Sequence, residues 1–121
     1  MKKSIVVTGS CGLIGMETCL FFHKKGYRII GVDNGMRSYY FGEDASTIAN
    51  KEYLEKTLEN YDHWNIDVRD SNALEVLFKY NDIDAIIHTA AQPSHDWAAK
   101  EPHTDFTVNA VGTLNLLELT R

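Results

Sequence analysis

Three glycines, each separated from the next by two residues, occur in Thr8-Gly9-Ser10-Cys11-Gly12-Leu13-Ile14-Gly15, and what flanks them constrains the fold of this chain more than any other feature. Upstream lies Ser4-Ile5-Val6-Val7-Thr8, a β-branched run bounded by glycine, which reads as a buried strand. Downstream, Leu13 to Lys25 reads as a helix with Lys24 and Lys25 in its last turn and Gly26 at its stop. A glycine turn between a strand and a helix opens a βαβ unit. Gly9 allows the tight turn, Gly12 leaves room for backbone to approach a pyrophosphate, and Gly15 lets the helix pack closely on the sheet. The helix start, at Leu13 and Ile14, offers unpaired amides to an anion. No Gly-Lys-Ser or Gly-Lys-Thr follows, which excludes a nucleotide-triphosphatase loop.

The rest of the chain keeps the alternation. The first helix puts Ile14, Leu20, Phe21 and Phe22 near one side, and Arg28 to Val32 is a second strand. Residues 34 to 47 read as a long loop, followed by a charged helix near Ala49 to Asn60. A third strand is expected over His63 to Asp67, then a helix opened by Asp70-Ser71-Asn72 in which Leu74, Leu77 and Phe78 recur. Asp84 to His88 is a fourth strand, Ala90 to Pro102 a loop or short helix, and Phe106 to Thr120 a final helix with Val108, Val111, Leu114 and Leu117 in a stripe. Four strands alternating with helices predict a doubly wound α/β fold with a parallel sheet, the Rossmann fold, as one domain over residues 1–121. A full dinucleotide-binding sheet has about six strands. The chain is therefore expected to be the amino-terminal part of something longer, with Asp84 to Thr89 an open edge that favours a homo-oligomer.

Composition narrows the class. With 121 residues, 44% hydrophobic and 24% charged, the chain suits one soluble globular domain. A net charge of −5 without a basic cluster argues against nucleic acid, and no apolar run approaches the ~20 residues that span a bilayer. Cys11 and Cys19 form no C-x-x-C pair, and the expected compartment is the reducing cytoplasm. Both are expected to be small packing residues, although Cys11 faces a helix start that would lower its thiol pKa. His88, His95, Asp96 and His103 match no ligand spacing, so no metal is expected, and His88 reads as a packed strand-end histidine.

Asp33 follows Gly15 by 18 positions, where a carboxylate meets ribose hydroxyls and repels a 2′-phosphate. NAD is thus expected over NADP, with Asn34 beside it and Arg37 the residue able to receive such a phosphate. Asp67 and Val68, at the carboxyl end of the third strand, are placed to meet adenine, the alternative being that Asp67 only begins the next helix. Thr89, Ala90, Ala91 and Gln92 leave the fourth strand with small side chains that let backbone approach the nicotinamide half.

Taken together, Thr8-Gly9-x-x-Gly12-x-x-Gly15, Asp33-Asn34, Asp67-Val68-Arg69-Asp70, His88-Thr89-Ala90-Ala91-Gln92, and Asn109 with Gly112-Thr113-Leu114-Asn115-Leu116-Leu117-Glu118 resemble the extended short-chain dehydrogenase/reductase family of nucleotide-sugar epimerases and dehydratases over the whole chain. Within it, Gln92 to Lys100 and the Asn34-Gly35-Met36-Arg37 turn look most like the CDP-paratose 2-epimerase branch. The resemblance implies tightly held NAD, with Asn109 among its contacts, and epimerisation of a nucleotide-sugar, there a CDP-sugar, by transient oxidation. A 4-epimerase, a 4,6-dehydratase or a non-catalytic dinucleotide-binding module are the alternatives. The family's base lies in Tyr-x-x-x-Lys. The fourth residue after each of the six tyrosines is Gly31, Glu43, Asp44, Thr57, Asn65 or Asp84, so no catalytic residue is carried over and the catalytic segment and substrate domain are absent from these residues.

Overall fold

The computed structural model describes residues 2–121. Ser4–Thr8 (β1), Arg28–Val32 (β2), Tyr61–Trp64 (β3) and Ala85–His88 (β4) form one parallel sheet in the order β3-β2-β1-β4. Thr8 stands opposite Val32 on one side and His88 on the other. The chain winds outward from β1 to β3, then returns past β1 to begin β4. The carboxyl end of β1 is therefore the switch point where crevices open in such sheets.

Alternation along β1 explains why all five residues are buried. Val6 faces one core with Ile30, Val32, Leu74, Leu77 and Leu116, whereas Ile5 and Val7 face another with Cys19, Ile29, Leu54 and Tyr61. Helices cover both faces, as a parallel sheet requires. Leu13–Lys24 (α1) and Ile48–Thr57 (α3) close one face; Ser71–Tyr80 (α4) and Gly112–Leu119 (α7) close the other. The Asp70 carboxylate caps α4 by accepting the Ala73 amide at 3.1 Å.

Four expectations change. β3 lies two residues earlier than expected, because Tyr61 is drawn into the core; Asp67 and Val68 lie beyond the strand, in the connection to α4. The expected loop over 34–47 contains a short helix, Arg37–Phe41 (α2), and a 3-10 turn at Glu43–Ala45. In α1 the buried residues are Gly15 and Cys19, which are small and let the helix lie close to the sheet; Ile14 and Phe21 are turned outward at 65% and 54% exposure. The carboxyl-terminal helix is not continuous α-helix. His95–Lys100 (α5) and Pro102–Phe106 (α6) precede a π-helical turn at Thr107–Val111, and α7 follows. Its buried face is Val108, Gly112 and Leu116, not the predicted stripe, and Leu114 and Leu117 face outward. Packing selects that face, because Gly112 is where α7 meets Val68: a Cβ there would come within 2.7 Å of Val68 Cγ2. No helix among the described residues is long and apolar enough to cross a membrane.

Candidate functional site

The turn after β1 is built by its glycines, each for its own reason. Gly9 has φ 69°, and a Cβ on it would lie 2.7 Å from Thr89 Oγ1 and 2.8 Å from the Ala90 nitrogen. A Cβ on Gly15 would sit 1.8 Å from the Gly9 oxygen, so no other residue lets α1 start so close to the turn. A Cβ on Gly12 would meet only the Gly9 oxygen, at 3.3 Å. The protein's own packing thus requires glycine at 9 and 15, whereas at 12 the space it leaves belongs to the cleft. Gly12 is also the N-cap of α1 and supplies no side-chain cap. The Leu13 and Ile14 amides consequently have no hydrogen-bond partner among the described residues, which is the electrostatic condition for holding an anion.

These amides open on a cleft of about 280 Å³ at the carboxyl edge of the sheet. Thirteen of the fifteen residues singled out from the sequence line it: Gly9, Gly12, Leu13, Ile14, Gly15, Asp33, Asn34, Arg37, Asp67, Val68, Thr89, Ala90 and Ala91. Gln92 and Asn109 do not. Gln92 is 4% exposed, its amide donates to Asn109 Oδ1 at 2.7 Å, and Asn109 Nδ2 returns a bond to the Gln92 oxygen at 3.1 Å. Gln92 Nε2 also donates to Asp105 Oδ1 at 2.8 Å. The pair ties the segment after β4 to the π-helical turn beside the cleft.

At the β2 end, Asp33 is held rigidly. One carboxylate oxygen accepts the Cys11 amide at 3.0 Å and the other the Gly35 amide at 2.8 Å. Behind it, His63 Nε2 lies 3.2 Å from the Asp33 carbonyl, which only accepts, so that nitrogen carries a proton; Nδ1 lies 3.0 Å from the Tyr61 hydroxyl, which donates to Ser10 Oγ at 3.2 Å. Burial, with Lys51 nearby, pushes the His63 pKa down. At the adenine end, burial works to raise the Asp67 pKa. Bonds from the Arg69 guanidinium and amide outweigh it, leaving the carboxyl below the usual range. Arg69 Nη2 reaches Asp67 Oδ2 at 2.6 Å. Cys11 is the packing residue expected of it: it is buried, and burial first, then Asp33, raises its thiol to about 11.

Sequence reasoning missed one wall. Met36, Tyr40, Phe41 and Pro93 line the cleft. Tyr40 is buried, Trp97 Nε1 donates to its carbonyl at 2.6 Å, and the Tyr39 hydroxyl donates to the Glu101 carboxylate at 2.9 Å. These bonds join α2, which follows β2, to α5, which follows β4. The Tyr39-Tyr40-Phe41 triplet was visible in the sequence, but its partner Trp97 is 57 residues from Tyr40 and no local period signals the pairing.

Sheet order, glycine turn, free helix-start amides and an acid closing the second strand together define a dinucleotide-binding unit of Rossmann type. Over residues 5–121 the chain belongs to the NAD dependent epimerase/dehydratase family. It is 33% identical over 116 residues to UDP-glucose 4-epimerase of Caenorhabditis elegans, covering 95% of this chain and 33% of that protein. It is 34% identical over 119 residues to UDP-glucose 4-epimerase 2 of Arabidopsis thaliana, covering 98% and 33%. The crystal structure of UDP-glucose 4-epimerase from Bifidobacterium longum in complex with NAD+ and UDP superposes with a TM-score of 0.80 at 29% identity, covering 97% of this chain and 33% of that one. The chain thus spans about a third of the length of the curated relatives it matches.

Proposed function

We propose that this chain is the dinucleotide-binding part of an NAD-dependent nucleotide-sugar epimerase. The observation that carries the reading is the pair of unpartnered amides at Leu13 and Ile14, facing a cleft that Gly12 keeps free of side chain, at the switch point of the sheet. Those amides would hold the pyrophosphate, the Asp33 carboxylate the adenosine ribose hydroxyls, the Asp67-Val68 turn the adenine, and the Thr89-Ala90-Ala91 backbone the face toward the nicotinamide. When bound, NAD would supply a hydride acceptor that returns the hydride to the sugar. The residues present bind and orient; none of the six tyrosines stands in a Tyr-x-x-x-Lys, so the proton-transfer chemistry is assigned to no residue here.

The named relatives favour a UDP-sugar and its C4 position over the CDP-sugar 2-epimerase branch that Gln92 to Lys100 resembles. In this fold that run supplies the Gln92 bond to Asn109 and the Trp97 bond to the Tyr40 carbonyl. Cys11 and Cys19 are both free and buried, which suits a reducing cytoplasm.

Calorimetric titration with NAD and NADP tests the reading. NAD should bind at least about tenfold more tightly, because Asp33 would face a 2′-phosphate at short range. Equal or reversed affinities would remove Asp33 from the ribose site, and no binding of either would overturn the reading.

A further inference from the structure

Counting donors and acceptors around His88 leaves one arrangement of protons. Thr113 Oγ1 lies 2.7 Å from the Asn109 carbonyl, so the Thr113 hydroxyl donates there. His88 Nε2, 3.1 Å from the same hydroxyl oxygen, must then carry a proton and donate it. Nδ1 of the neutral ring is bare and accepts the Thr8 hydroxyl at 2.6 Å. Thr8 Oγ1 in turn accepts two amides, Ala90 at 3.2 Å and Thr89 at 3.1 Å, the Thr89 amide being shared with the Thr8 carbonyl at 3.1 Å. Among the described residues its only other partner is Nδ1, which is therefore the acceptor for the Thr8 proton. The two amides belong to the cleft wall, where Thr89 and Ala90 crowd Gly9 so closely that it admits no Cβ. The Thr89 hydroxyl closes the ring of bonds by donating to the Thr8 carbonyl at 2.6 Å.

We propose that His88 is a positioning residue for the cofactor: neutral, with its proton on Nε2, it holds Thr8 so that the Thr89-Ala90 backbone walls the dinucleotide cleft, and a proton on Nδ1 loosens that wall. The cofactor part rests on the reading that this cleft takes NAD. With Nδ1 protonated, the Thr8 hydroxyl proton would lose its acceptor, and the N–H on Nδ1 would compete with the Ala90 and Thr89 amides for the two lone pairs of Oγ1, of which the Thr89 amide alone has a second acceptor, the Thr8 carbonyl. Such a conflict inside a half-buried network is expensive, since an unmatched polar group there keeps its full desolvation penalty. The groups facing the ring are Thr8 from β1, Thr113 from α7 and the Asn109 carbonyl from the π-helical turn. None of them titrates, and burial alone lowers the ring's pKa with no charged side chain contributing.

The test compares the unmodified chain with His88→Asn and His88→Leu. In His88→Asn the carboxamide oxygen takes the place of Nδ1, accepts the Thr8 hydroxyl and does not titrate; His88→Leu keeps bulk and removes the acceptor. NAD affinity is measured by calorimetry between about pH 8 and pH 5, a range that spans imidazole titration. The unmodified chain should lose about tenfold in affinity toward the acid end, His88→Asn should stay within about threefold of the pH 8 value throughout, and His88→Leu should be about tenfold weaker at both ends. Amide hydrogen exchange at Ala90, whose bond is to Thr8 Oγ1, read on chains shown to be folded by circular dichroism, gives a result independent of cofactor. Exchange should be slow at pH 8 in the unmodified chain and in His88→Asn, and faster in His88→Leu. Unchanged exchange and affinity in a folded His88→Leu would overturn the proposal. So would a pH slope that persists in His88→Asn, which would belong to another group such as His63. Absence of NAD binding at every pH would overturn the cofactor reading instead, with the exchange data still deciding the role of His88.

Discussion

Within the turn after β1, the space around each missing Cβ separates the glycines that packing requires, at 9 and 15, from Gly12, whose open space faces the cleft. Gly12→Val places its branched side chain where only the Gly9 oxygen is near, so the fold should survive while the pyrophosphate position is filled. The expected outcome is loss of NAD binding by calorimetry with unchanged helix content by circular dichroism; retained affinity would place the phosphate site elsewhere. Gly15→Ala is the contrasting case. Its Cβ cannot coexist with the Gly9 oxygen at 1.8 Å, so the turn must open, at a cost on the order of 3 kcal/mol or more in urea unfolding. The same accounting explains Cys11. Its amide is spent on Asp33 and its sulfur is buried, and desolvation first, then Asp33, pushes the thiol up.

At the scale of elements, α7 shows packing overriding periodicity. Val108, Gly112 and Leu116 recur every four residues and face Val68 and the α4 core, whereas the larger Leu114 and Leu117 point outward. A hydrophobic stripe read from side-chain size selects the wrong face when the contact depends on a small residue. Gly112→Ala tests this, because alanine favours a helix by about 1 kcal/mol over glycine in the absence of tertiary contacts. Here its Cβ would lie 2.7 Å from Val68 Cγ2, so the variant should instead be destabilised by about 1 to 2 kcal/mol in urea unfolding and should bind NAD more weakly as Val68 shifts in the cleft wall. A stabilised variant with full affinity would show that Val68 yields freely. The π-helical turn is the second such feature: it carries both Val108, in the cleft, and Asn109, bonded to Gln92.

For the whole molecule, two half-buried histidines make stability depend on pH. The pKa values of His63 and His88 are lowered from 6.5, in both cases chiefly by burial. Between each lowered value and 6.5 the unfolded chain binds more protons than the folded one, so stability is full above about 6.5 and is lost as pH falls through that window. Urea midpoints measured from pH 8 downward should decline below about 6.5, and replacing either histidine by asparagine should shrink the decline; a flat profile would contradict the burial of both rings. A second expectation concerns activity: with NAD and a UDP- or CDP-sugar, these 121 residues should show no turnover by product chromatography, since no Tyr-x-x-x-Lys is present. Turnover would show that one of the histidines acts as the base. The strand-turn-helix opening, the parallel α/β class and thirteen residues of the cleft were legible because their signals are local: β-branched runs, glycine spacing, and an acid at a strand end. The start of β3, the buried faces of α1 and α7, the contact between Trp97 and Tyr40 and the bonds between Gln92 and Asn109 were decided only in three dimensions. Each depends on which small residue meets which neighbour, or on partners tens of residues apart, and propensity and period carry no record of either.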